Sequence, residues 1–321
     1  MSILGIDLGG TKLAVALFWE TGEVKLKETV ALEKREGEQV GELIKMQVQK
    51  YLNSEGRELK AIGVSVPGIY RMKAGTAWAP NMPGWEDYRL LGELSAAAGG
   101  IPIRIDSDRA CYILGELWQG NAQGCQDAIF MAMGTGIGAG IISGGHVLRG
   151  AHDIAGAIGW MALAKPYQTK YDSCGCFEYY TSGRGLARLA NELLEADTEY
   201  SGSLRSVHPD QLTAPHIFAA YESGDEVARR VIGEAVEFWG MAVANLVSIF
   251  NPEKIIMGGG VFGPAVRFIP EIAEEAKKWA QPISITKVSI EESALAGESG
   301  VYGAAFLALS SIQKRSAYAV D

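Results

Sequence analysis

The sequence predicts an α/β protein of two domains, with mixed sheets flanked by helices and a ligand cleft between the halves. Three observations predict it. A glycine-rich loop lies between two apolar, strand-like runs twice, as Gly5-Ile6-Asp7-Leu8-Gly9-Gly10-Thr11-Lys12 and as Met133-Gly134-Thr135-Gly136-Ile137-Gly138. The order βββαβα, read from hydrophobic periodicity, recurs loosely in each half. A length of 321 residues is enough for two domains.

The elements follow in order. Ile3–Ile6 and Leu13–Phe18 flank the first loop and form a hairpin. The turn Glu20-Thr21-Gly22-Glu23 leads into a third strand, Val24–Leu32. Residues 36–53 carry Val40, Leu43, Ile44, Val48, Tyr51 and Leu52 at helical spacing. Leu59–Val66 reads as a buried strand ended by Pro67-Gly68, Ile101–Ile105 as a strand and Asp108–Trp118 as a helix. The second half opens near Gly124, with strands Ala128–Met133 and Ile137–Ser143 around the second loop. An irregular stretch runs to about Ser182, followed by helices at 184–196 and 225–250. Strand Lys254–Met257 runs into Gly258-Gly259-Gly260. A helix at 266–279, a strand near 283–290 and a helix from Gly300 to Ile312 complete the chain. These place a small domain at 1–119 plus about 300–321 and a large one at 120–299. No low-complexity linker separates them.

Composition bounds the function. Apolar residues make up 48% and charged residues 21%, as in soluble globular proteins. A net charge of −9 argues against a nucleic-acid or membrane partner, so an anionic ligand needs local donors. Met1-Ser2-Ile3-Leu4-Gly5 enters a strand directly, and no signal peptide is expected. The apolar run Phe238–Phe250 contains Asn245 and follows Glu234 and Glu237, which reads as a buried helix. Four cysteines make no disulfide scaffold, so Cys111 and Cys125 are expected as core thiols and the cytoplasm as the compartment.

Glycines let backbone N–H groups close on an anion, and a concavity of N–H groups binds phosphate. Two such loops point to a nucleotide polyphosphate, met by Thr11, Thr135 and the glycines around them. Asp7, at a strand end beside the first loop, can hold Mg²⁺ through water or merely cap the turn. Lys12 adds charge there or is solvated. Ser107 or Asp108 can serve as a helix N-cap. Gly258–Gly260 is a tight turn or a close approach to a nucleoside.

Together these motifs resemble the ROK family of sugar kinases, in the actin-like ATPase (ribonuclease H-like) superfamily. The resemblance rests on Asp7-Leu8-Gly9-Gly10-Thr11-Lys12, Val64-Ser65-Val66-Pro67-Gly68, Asn81-Met82-Pro83-Gly84-Trp85, Gly134-Thr135-Gly136-Ile137-Gly138, and Asn251-Pro252-Glu253 leading into Gly258-Gly259-Gly260. It implies ATP- and Mg²⁺-dependent phosphorylation of a hexose, usually on a terminal hydroxyl. Asp108 matches the base. Gly9, Gly10, Thr11, Lys12, Gly134, Thr135, Gly136 and Gly138 match the phosphate contacts, and Gly258, Gly259 and Gly260 the adenosine segment. Gly68, Asn81, Ser107, Asp108 and Glu178 match the sugar site, with Ser107 replacing an Asn and losing reach. The resemblance also implies a homodimer and closure on the sugar.

The region 149–183 departs from the pattern. Many members carry Gly-Glu-x-Gly-His, whose Glu binds sugar hydroxyls and whose His binds zinc; here the run is Gly156-Ala157-Ile158-Gly159-Trp160. The family's cysteine motif survives as Gly175-Cys176-Phe177-Glu178, with Cys174 out of register. Structural zinc takes four ligands. Even with His152, Asp153 and Asp172 as substitutes for the missing ones, reduced thiols and no zinc are expected. Trp160 offers an apolar face to a sugar ring or fills the space of the metal lobe. The sequence thus points to a sugar kinase of altered specificity. A non-catalytic sugar- or nucleotide-binding member is the alternative. A repressor is disfavoured by the acidic charge and by the six residues before Asp7, and a chaperone- or filament-type ATPase by the Asn-x-Pro-Gly-Trp run.

Overall fold

The computed structural model describes residues 1–313. The chain begins with three strands, β1 (Ser2–Leu8), β2 (Lys12–Trp19) and β3 (Val24–Ala31), then helix α1 (Glu38–Glu55) and strand β4 (Leu59–Val66). A small hairpin, β5 (Ile69–Arg71) and β6 (Thr76–Trp78), precedes α2 (Leu90–Ala97), β7 (Ile103–Ser107) and α3 (Asp108–Gln119). Strands β8 (Ala128–Met133), β9 (Ile137–Ser143) and β10 (His146–Val147) follow. Helices α4 (Cys176–Thr181), α5 (Gly183–Ala196), α6 (Ala214–Glu222) and α7 (Glu226–Phe250) lead to β11 (Lys254–Gly258), α8 (Ile269–Trp279), β12 (Ser289–Glu292) and α9 (Ser299–Gln313). The fold is that of the actin-like ATPases, mixed sheets flanked by helices.

The described chain divides into two compact units: residues 1–130, 140–156 and 293 onward form the first, and residues 131–139 and 157–292 the second. The stretch 314–321, assigned from sequence to the small domain, lies outside the described residues.

In the first unit the sheet order is β3-β2-β1-β4-β7. The β1/β2 and β2/β3 pairs are antiparallel, whereas β1, β4 and β7 run parallel. Strands β1 and β4 are almost wholly buried, as parallel strands covered on both faces must be. One face receives α1, whose Val40, Leu43, Ile44, Val48 and Tyr51 enter the core. The other receives α9, which packs on β1 and β4 and along α3. A Cβ on Gly63 would lie 1.7 Å from the Ala304 carbonyl oxygen, so only glycine lets α9 come this close to β4. Trp85 is fully buried, stacked on Tyr88 with ring centroids 4.6 Å apart, and its indole N–H donates to the Gly37 carbonyl at 2.9 Å. That bond fixes the 81–85 loop against the start of α1.

The second sheet runs β10-β9-β8-β11-β12, with β11 and β12 parallel. Helix α7 has the length and apolar content of a membrane span, but Val231, Ala235, Trp239, Ala242, Val243 and Leu246 are buried in its own unit, where it packs on α4, α5, α6 and α8. The strand expected near 283–290 is shorter, Ser289–Glu292, and 282–287 is a turn. The Gln281 side chain accepts from the Ile283 and Ser284 N–H groups at 2.8 and 2.7 Å, and Ile283 stays exposed. The residue alternation there had the appearance of a strand, but a local side-chain bond holds the backbone instead. The helix expected over 266–279 opens with a 3-10 segment at Pro264–Phe268.

Candidate active site

In the first unit the carboxyl ends of the parallel strands carry the polar residues. The register sets Asp7 of β1 opposite Ser65 of β4, and Ser65 opposite Asp106 of β7. Crevices at this edge of a parallel sheet are where α/β proteins bind ligands. The Ser65 hydroxyl donates to Asp7 Oδ1 at 2.5 Å. Burial pushes the Asp7 carboxyl up, against the opposing pulls of Ser65 and Lys12. A partly desolvated carboxylate beside an open glycine loop suits Mg²⁺, which binds through one or two carboxylates and phosphate oxygens. Gly10, Thr11 and Lys12 are exposed, Gly9 is partly so, and the Gly9 N–H donates to the Lys12 carbonyl at 2.9 Å, closing the loop as a tight turn.

Ser107 is the N-cap of α3, its hydroxyl accepting from the Ala110 N–H at 3.5 Å. Asp108 therefore opens the helix without serving as its cap, and its carboxyl accepts a 2.8 Å bond from the Arg109 N–H and a bond from the Tyr112 hydroxyl. Burial raises Asp108 to about 6, Arg109 opposes the rise, Asp7 adds to it, and the Tyr112 hydroxyl opposes it. The mutual influence of Asp7 and Asp108 places two carboxylates of this unit in one electrostatic neighbourhood.

The remaining sugar-site candidates of this unit lie on its loops. Gly68 has φ +89°, and a Cβ there would meet the Trp78 carbonyl oxygen at 2.2 Å, so the position requires glycine. Its own carbonyl accepts from Arg109 Nη2 at 3.1 Å. Asn81 is exposed on the loop that Trp85 anchors. Residue spacing missed one group. Arg149 reaches Asp106, donating from Nε at 3.2 Å and from Nη2, to form a part-buried ion pair whose partners are separated by 43 residues. Asp153, at φ +57°, accepts from the Met72 N–H at 3.3 Å.

In the second unit the loop 134–138 joins β8 to β9. Thr135 and Gly136 are exposed, Gly134 is partly exposed, and Gly138 is buried within β9. The Gly134 N–H bonds the Gly136 carbonyl at 3.0 Å, and the Gly134 carbonyl accepts from the Gly183 N–H at 2.8 Å, tying the loop to the start of α5. Gly258 is buried at the end of β11, and Gly259 and Gly260 are exposed beyond it. Glu178, on α4, accepts from the Ile137 N–H at 2.7 Å. Burial raises its carboxyl, while that N–H, Arg188 and Arg184 oppose the rise. Gly159 walls in this carboxylate, since a Cβ there would lie 3.0 Å from Glu178 Oε2.

The zinc that the family resemblance implies does not fit this unit. Cys176 is buried, and the Cys174 thiol lies 3.6 Å from the guanidinium Nη1 of Arg188, a cation where a second cation would have to sit. Trp160, at the position of the family's His, is 57% exposed. Among the described residues no three of His, Cys, Asp and Glu converge on a point that could hold a metal.

The profile of the ROK family matches residues 3–311. A glucokinase from Halalkalibacterium halodurans is 30% identical over 317 residues, covering 95% of this chain and 94% of its own. A xylose repressor from Caldicellulosiruptor bescii is also 30% identical, over 99% of this chain and 80% of its own. A ROK family glucokinase from Streptomyces griseus, solved with glucose and AMPPNP, superposes with a TM-score of 0.77 at 29% identity, covering 96% of this chain and 99% of its own. Paired glycine loops, carboxylates on a parallel sheet edge and a family profile spanning almost the whole chain agree, and this chain belongs to the ROK family.

Proposed function

We propose that the chain is an ATP-dependent sugar kinase that transfers the γ-phosphoryl group to a hexose hydroxyl. The observation that carries the reading is Asp108, a carboxylate raised to about 6 at the mouth of a parallel sheet, in the same unit as Asp7 and the first glycine loop. A base with a pKa near the working pH is the effective kind. Asp108 accepts the proton of the attacking hydroxyl, the hydroxyl oxygen bonds the γ-phosphorus, and the bond to the bridging oxygen of ADP breaks. Phosphoryl transfer needs little more from the protein than positioning and charge.

The exposed backbone N–H groups at Gly10 and Thr11 and at Thr135 and Gly136 bind phosphate oxygens, with Lys12 and the Thr11 and Thr135 hydroxyls as further donors. Beyond the buried Gly258, Gly259 and Gly260 leave their backbone open to adenosine. Magnesium, when bound, would neutralise phosphate charge, and Asp7 would hold it. Gly68, Asn81, Ser107 and Glu178 hold the sugar, with Ala157 and Trp160 standing where relatives of this family carry polar groups. The lost carboxylate removes one test of the sugar's hydroxyl pattern, which favours a specificity different from glucose alone. A cytoplasmic homodimer is part of the same reading.

Coupled ADP release with Mg-ATP across hexoses, amino sugars and polyols tests it. Turnover with a sugar, lowered about 10²- to 10⁴-fold in Asp108→Asn, is the expected result. No turnover with any sugar, together with a rise in Tm on adding ATP or sugar, assigns the chain to the non-catalytic binding members instead. The similarity to a xylose repressor motivates a second reading, sugar-responsive DNA binding. The net charge of −9 weighs against it, and a gel shift on its own promoter decides it.

A further inference from the structure

We infer that Lys170 is a positioning residue for Glu178: a caged cation among tyrosines orders the helix that presents this carboxylate, in a region where relatives use a metal. The inference rests on the reading of Glu178 as a sugar contact. Helix α4 spans only Cys176–Thr181, and its N-cap, Gly175, offers no side-chain bond. A helix this short has no stability of its own, yet it must hold Glu178 at 2.7 Å from the Ile137 N–H. Its orientation has to come from packing.

That packing is a cation–tyrosine cluster within the second unit. Lys170 Nζ stands 4.8 Å from the ring centroid of Tyr179, 5.1 Å from that of Tyr180 and 5.9 Å from that of Tyr171. Its charge is met by Glu192 of α5, both carboxylate oxygens lying at 3.3 Å. The Tyr179 hydroxyl donates to the same Glu192 at 2.6 Å, and the Tyr171 and Tyr180 hydroxyls bond each other at 2.8 Å. Tyr180 stacks on Phe238 of α7, with centroids 4.7 Å apart. Arg188 of α5 lies 4.4 Å over the Tyr179 ring and reaches Cys174. Tyr179 and Tyr180 follow Glu178 directly, so every bond of the cluster to these two rings fixes the rotation of α4 about its axis. A tetrahedral metal would tie the same segment through thiolates. Here cation–π contacts, charge and hydroxyl bonds do so, and the charge of Arg188 excludes a metal from the thiol beside it.

Hydrogen exchange on the full chain tests this without reference to activity. In Lys170→Met, amides of 169–182 should exchange about tenfold faster than in the wild type while the centre of α7 stays unchanged; Lys170→Arg should keep the protection. Added Zn²⁺ should change neither variant. Unchanged exchange in Lys170→Met, or protection restored by Zn²⁺, overturns the inference. Should Lys170→Met fail to fold, Tyr179→Phe removes only the Glu192 bond and gives the same comparison at smaller amplitude.

Kinetics supply the second readout. The sugar KM of Lys170→Met should rise about tenfold, with kcat and the KM for ATP within about twofold of wild type. A parallel loss of all three overturns positioning in favour of plain destabilisation. A wild type silent toward every sugar would refute the kinase reading, whereas the exchange comparison still decides the role of Lys170.

Discussion

Asp108 shows how one position can be set by its neighbours. Ser107 takes the N-cap, so the Asp108 carboxyl does not serve as the cap, and burial raises it to about 6 while Arg109 and the Tyr112 hydroxyl hold it back. In the kinase reading, kcat/KM should climb through about pH 6 and level off above it. Arg109→Met removes the opposing positive charge and should move that rise to higher pH, which a pH–rate profile measures. Stability should follow the opposite course. A carboxyl raised from 3.8 in the unfolded chain to about 6 in the folded one binds its proton more tightly when folded. Its contribution is thus full below about pH 4 and lost as pH rises through about 6. Asp108→Asn should match the wild type at pH 4 and exceed it at pH 8 by on the order of 2 kcal/mol, after discounting for partial exposure, as thermal melts at the two pH values would report. The place of Asp108 at the start of α3 was legible in the sequence because strand, cap and acid are contiguous. The Arg109 bond to Gly68 and the Arg149 pair with Asp106 were not, because their partners lie far off in sequence and nothing local marks them.

At the scale of elements, Glu116 of α3 is a polar anchor of the first unit. Fully buried, it accepts from the Ser293 hydroxyl at 2.5 Å, the Ser299 hydroxyl at 3.0 Å and the Asn121 N–H at 2.9 Å. These bonds seat the entry to α9. Glu116→Ala should cost about 3 kcal/mol, since it strands the buried Ser299 hydroxyl and two part-buried donors at once, and denaturant melts would show it. Sequence periodicity placed α3 and α9 within a residue or two, because each has a continuous apolar face. It did not yield α2, α6 or the β5/β6 hairpin. Those are short, and the bonds that hold them are tertiary, as where the Ala77 N–H donates to the Tyr88 carbonyl and the Tyr88 N–H to the Ala77 carbonyl, each at 2.9 Å. In the region 157–182 the lost Glu and His were visible as absences. The cluster that stands there was not, since Lys170, Tyr179 and Glu192 share no motif.

At the scale of the molecule, the duplicated glycine loop foretold two units, and the first of them draws on both ends of the described chain. Strands β1 and β4 come early, and α9, pressed on β4 where Gly63 has no side chain, comes from beyond residue 293. During synthesis the ribosome makes the sheet first and the helix that covers it last. Until α9 emerges, one face of β1 and β4 lacks its cover, and the Glu116 carboxylate lacks its serine donors. Residues 131–139 and 157–292, which form the second unit, are by then already made. The half of the protein translated first is therefore the half that finishes folding last, and the nascent chain must carry an open apolar sheet for most of its length.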